Sequence, residues 1–150
     1  MDLKKSVLWM FFGSIIFGIY FNGMNILAYR VRDIYLSLTL FYSALWMASG
    51  MVIIEIIMYY FSMNNSDFPV VLFIAFILFS LIIAFIMRKQ IGVNDNEWLK
   101  RMISHHSTAL TTSHAIMEKT ENIKVRNLAK QIIDTQEKEI KEMTDLLQKS

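Results

Sequence analysis

The residues best suited to chemistry lie in the last third of the chain. Met102, His105 and His106 form one group, with His114 and Met117 further along, and Gln136, Glu139 and Met143 form another. Imidazole and thioether together suit a soft metal, copper and above all Cu(I), better than magnesium or calcium. The competing reading is a satisfied core pair, His106 hydrogen-bonded to Gln136, because a polar group inside a helix seam is costly unless it is bonded. A further candidate stands apart from these. Glu55 is an ionisable residue deep in an otherwise uncharged stretch, a placement that is rare inside a membrane span.

Two helices are needed to bring the first two groups together. Periodicity predicts one from about 96 to 119 and a second from about 122 to 148, with the turn at Thr120 and Glu121 and an N-cap at Asn94 or Asp95. Leu99, Ile103, His106, Leu110, Ser113 and Met117 recur at alternating strides of four and three and make a seam. Val125, Ala129, Ile132, Gln136, Ile140, Met143 and Leu147 make the facing one. An antiparallel hairpin turning near Glu121 sets His106 beside Gln136, Met102 beside Ile140 and Leu99 beside Met143. Met102, His106, Gln136 and Met143 then converge, with Glu139 on the flank. His105 points about a quarter-turn away, as a second ligand at the seam edge or an exposed residue. His114 lies off the seam and reads as a surface residue, or with Met117 as an outer site.

Ahead of these helices come three stretches without charge: Ser6 to Tyr29, Ile34 to Ile54 continuing past Glu55 to Ser66, and Phe68 to Met87. Each is close to the roughly 20 residues a helix needs to cross the hydrocarbon core. The first is too long for a cleavable leader and no small-x-small site follows it, so it reads as retained. Arg30, Arg32 and Asp33 form a short connection, residues 63–68 a polar turn, and Pro69 opens the third span. Met47, Met51, Glu55 and Met58 share one face of the second span, either a packing face or a path for a soft metal or a proton. The domains read as a three-span anchor over 1–89 and a helical hairpin over 90–150. Orientation is left open by the charges: Lys4 and Lys5, weighed against Arg30, Arg32, Arg88 and Lys89, favour a cytoplasmic hairpin by a small margin, and the resemblance given below implies the opposite side.

Composition excludes several function classes. From Arg88 onward 11 Lys/Arg mix with 9 Asp/Glu, a solvated helical surface rather than a nucleic-acid footprint. There is no cysteine, hence no disulfide framework and no thiolate chemistry. Eleven Met in 150 residues is high, and gap-filling in apolar helices accounts for many of them. No H-E-x-x-H occurs, and no Glu lies three residues before any His, so neither a zincin nor a ferritin-type di-iron site is encoded. Ser104, Ser107 and Ser113 lie near histidines without an elbow to activate them. No enzyme is expected.

The segment WLKRMISHHSTAL, Trp98 to Leu110, followed by LAKQIIDTQEKEIKEM, Leu128 to Met143, resembles the domain-of-unknown-function 305 family of small ferritin-like helical domains, several linked to copper binding or tolerance. The family's Met-Ile-x-His-His element matches Met102, Ile103, His105 and His106, and its Gln-x-x-Glu-Ile-x-x-Met element matches Gln136, Glu139, Ile140 and Met143. The stretch FYSALWMASGMVIIEIIM, with Ile54 and Glu55, is similar to the second span of multi-span members, which hold the His/Met domain outside the cytoplasm. One departure stands out: where the family has Gly-Ala and then Met, this chain has Thr108, Ala109 and Thr112, one soft ligand fewer.

The whole implies an all-α integral membrane protein, three transmembrane helices followed by an antiparallel two-helix hairpin resembling half a ferritin-like bundle. A hairpin of this size buries little core alone, so a second copy or the chain's own spans should complete it. The expected function is copper handling or tolerance. Met102, His106 and Met143 would be ligands, His105 a fourth, and Gln136 and Glu139 would orient the imidazole. The expected partners are the lipid bilayer, the metal ion and a second copy, with no nucleic acid. The alternatives are a metal-free assembly module, or a transporter subunit using Glu55.

Overall fold

The computed structural model describes residues 2–62 and 68–149. Residues 63–67 of the predicted polar turn lie outside the described residues. Among those described the regular structure is entirely helical, with no strand: α1 (Leu3–Tyr20), α2 (Gly23–Ile26), a 3₁₀ turn (Val31–Asp33), α3 (Leu38–Ser62), α4 (Val70–Arg88), α5 (Asp95–Lys119) and α6 (Ile123–Lys149). The chain forms two compact units. One comprises residues 1–20 and 38–92, the other residues 21–37 and 93–150.

The first unit contains α1, α3 and α4, each long and apolar enough to cross a membrane. At 1.5 Å per residue, the 18 residues of α1, 25 of α3 and 19 of α4 reach about 27, 37 and 28 Å, against a hydrocarbon core of about 30 Å. Their buried faces are small. Ala44, Ala48, Val52 and Ile56 recur every four residues on α3 and are fully buried. Gly18 of α1 packs on Ala44, where an added Cβ would sit 3.2 Å from the Ala44 Cβ. At the far end of the same pair, Ser6 donates a hydrogen bond to Glu55. Position 18 therefore meets 44 while position 6 meets 55, and α1 and α3 run antiparallel. Val7, Val52 and Ile56 form a core against Phe11, Phe68, Phe73 and Phe76. On α4, Gln90 takes φ 51° after the last helical turn, and Ile91 N–H bonds back to the Ile86 carbonyl at 3.1 Å. That is a helix stop normally made with glycine. Here the Gln90 amide also donates to the Met87 carbonyl at 2.6 Å and accepts from Thr39 at 3.0 Å.

The uncharged run that reads as the first span is not one helix. It breaks after Tyr20, because Asn22 caps a fresh turn by accepting the Asn25 N–H at 3.0 Å. Residues from Phe21 onward then group with the C-terminal helices. In that second unit Asn94 caps α5 through the Glu97 N–H at 3.0 Å, with Asp95 and Glu97 acidic in its first turn. Three residues, 120–122, join α5 to α6. Leu99, Ile103, Leu110, Ile140 and Met143 form the buried cluster between these helices, with Tyr35, Met102, Ile133 and Leu147 packed around it.

Candidate functional site

Met102 and Met143 belong to that one apolar cluster, Met143 buried and Met102 at its edge. His106 follows Met102 one turn along α5, and its side chain is only 14% exposed. Its Nδ1 lies 3.1 Å from Glu139 Oε2 on α6. The contact is close but not aligned as a hydrogen bond, so Nδ1 is buried without a hydrogen-bond partner, as is the Thr111 hydroxyl. Burial pushes the His106 imidazole below the ordinary histidine value. The Glu139 carboxylate pulls it back, and neighbouring His105 adds to the fall. Burial thus favours the neutral ring, the form that can ligate a metal.

The other predicted residues separate. His105 is exposed, its ring centroid 6.0 Å from that of His106. Gln136 is half-buried, and the expected His106–Gln136 hydrogen bond does not form: Glu139, one turn further along α6, occupies the position opposite the imidazole. His114 stacks on Tyr29, ring centroids 4.9 Å apart at 11°. That contact gives it a partner which spacing did not suggest. Met117 is half-buried and Thr112 exposed. Among the described residues no three His, Asp or Glu side chains cluster as a metal site, so sulfur would have to complete any set. Glu55 accepts from Ser6, and Met47 and Met58 on its helix are exposed.

Sequence reasoning missed a second buried face on α5. Ser104 and Ser107 are buried, and each binds the segment 21–37 both as donor and as acceptor. Ser104 donates to the Asp33 carbonyl at 2.8 Å and accepts the Tyr35 N–H at 3.0 Å. Ser107 donates to the Asp33 carboxylate at 2.8 Å and accepts the Tyr29 N–H at 2.9 Å. Arg30 pairs with Glu137 of α6 and lies over the Tyr29 ring, 5.4 Å from its centroid. The connection between α1 and α3 is thus a strap across α5 and α6. A groove of about 690 Å³ lies beside it between Arg32, Tyr35, Lys141 and Asp145. None of the predicted metal ligands lines it. The available signal was two serines three apart in mid-helix, where an inward hydroxyl demands a partner.

With that geometry in hand, the comparisons can be placed on it. The family model for Domain of unknown function (DUF305) matches residues 87–150. An uncharacterized protein of Acanthamoeba polyphaga mimivirus is 33% identical over 144 residues, covering 96% of this chain and 92% of the viral one. The chain belongs to the DUF305 family. The match covers α5 and α6, the helices bearing Met102, His106, Glu139 and Met143. The viral relative extends the likeness over nearly the whole chain, α1, α3 and α4 included. No solved structure matches the chain.

Proposed function

We propose that this DUF305 protein is a membrane-anchored copper-binding protein, with Met102, His106 and Met143 as ligands from an antiparallel hairpin of α5 and α6. The observation that carries the reading is the buried His106 imidazole, its Nδ1 facing the Glu139 carboxylate at 3.1 Å, one turn along α5 from Met102 and beside the cluster that holds Met143. With Nδ1 turned to Glu139, Nε2 is the ring nitrogen that would take the metal. Soft donors around it favour Cu(I) over harder ions. Glu139 is placed to orient the ring, while exposed His105 would join only as an outer ligand. Gln136 would act more remotely, and His114 is engaged by Tyr29.

The membrane part of the reading is supported by connectivity as well as hydropathy. The segment between the first two apolar helices and the segment after the third form one unit. Three crossings return both to the same side. Apolar side chains left exposed on the hairpin, among them Ile116, Ile123, Leu128 and Leu146, support pairing with a second copy. Titration of the detergent-solubilised chain with Cu(I) under reducing conditions tests the function. Tight binding lost in His106→Ala is expected. Micromolar or weaker binding that the substitution leaves unchanged would reject the reading in favour of a metal-free assembly module.

A further inference from the structure

The α1–α3 pair carries a ladder of polar and sulfur side chains that the C-terminal site does not use. Ser6, Met10 and Ser14 ascend α1 in steps of four, and Glu55, Met51 and Met47 descend α3 at the same step. The first rung is the Ser6–Glu55 hydrogen bond. The next two share a groove of about 350 Å³ lined by Met10, Ser14, Met47 and Met51, with Trp9 and Phe17 at its edge. The Gly18–Ala44 contact continues the same register. One groove thus gathers three thioethers, and a carboxylate stands one turn away on α3.

Met10 packs in part against the Val7, Val52 and Ile56 core, whereas Met47 and Met51 lie outside it. Ala44, Ala48, Val52 and Ile56 make the tight contact of α3, whereas Met47 and Met51 remain 47% and 41% exposed. A thioether is a weak hydrogen-bond acceptor but a good ligand for soft ions. Neutral sulfur ligands leave the ion's charge unbalanced in a low-dielectric setting. A carboxylate within a turn of Met51 is the residue such a site needs, and it is otherwise costly inside a span.

We propose that this ladder binds a soft monovalent cation, Cu(I) or Ag(I), through the sulfurs of Met10, Met47 and Met51, with Glu55 as the balancing charge. It shares no residue with the C-terminal site and stands or falls separately. Ag(I), which needs no reductant, is the probe. The full chain in detergent micelles, carrying Met102→Leu, His106→Ala and Met143→Leu to disable the hairpin donors, is titrated by calorimetry. This background should still bind Ag(I). Adding Met10→Leu and Met51→Leu, which nearly conserve volume, should weaken that binding roughly tenfold or more. Glu55→Gln should weaken it less. Met58→Leu, on the same helix but outside the groove, should leave it unchanged. A background protein that binds no Ag(I) would overturn the proposal. So would an affinity indifferent to Met10→Leu and Met51→Leu, or one equally lowered by Met58→Leu.

Discussion

At the scale of single residues, the second unit is governed by a few buried polar atoms. His106 contributes to stability in a pH-dependent way. Its folded-state proton affinity lies below the ordinary value near 6.5, so the unfolded chain binds the proton more readily as pH falls. The neutral-ring contribution is present above that pH and is lost on acidification. Thermal unfolding followed by circular dichroism from pH 7 to pH 5 should show a drop that His106→Leu makes shallower. Ser107 is a sharper case, because it is fully buried and serves two partners. Ser107→Ala leaves the Asp33 carboxylate and the Tyr29 N–H without their partner and should cost about 1–3 kcal/mol. Faster proteolysis between Tyr29 and Tyr35, at unchanged helix content, would check it. These polar contacts were the least legible part of the chain. Periodicity found Leu99, Ile103, Leu110, Ile140 and Met143, since apolar burial repeats with the helix. A hydroxyl bonded to a backbone atom of a distant loop leaves no repeat. Glu139 was placed only on the flank, because a shift of one turn along α6 decides whether it or Gln136 faces the imidazole.

At the scale of elements, boundaries followed wherever a chemical stop was visible. Asn94 was legible as a cap, and α5 and α6 begin and end within a residue or so of their predicted limits. The first apolar run extends as a candidate span to Ile26 but is not one continuous helix, because Asn22 caps a new turn after Tyr20. Close packing of α1 on α3 makes a graded prediction. A methyl at position 18 must move Ala44, including its backbone, by a few tenths of an ångström, and a larger side chain by more. Unfolding temperature in detergent should therefore fall in the order glycine, Gly18→Ala, Gly18→Val. Asn94→Ala should cost about 1 kcal/mol, read from the same melts.

At the scale of the whole molecule, hydropathy revealed three stretches long and apolar enough to cross a membrane, but not that the segment joining the first two is part of the C-terminal unit. Because the chain has no cysteine, single introduced thiols report sidedness without background. Arg32→Cys and Lys130→Cys should react with an impermeant maleimide from the same face, and Asp2→Cys from the opposite one. Discordant labelling of positions 32 and 130 would refute the three-crossing arrangement. The Ser104 and Ser107 contacts join residues 69 to 78 apart in the chain. A ribosome therefore delivers Asp33 long before its serines exist. Until α5 emerges, that carboxylate is without its serine and stays hydrated, so this unit closes only once the last third of the chain has been made, whatever its first helices have already formed.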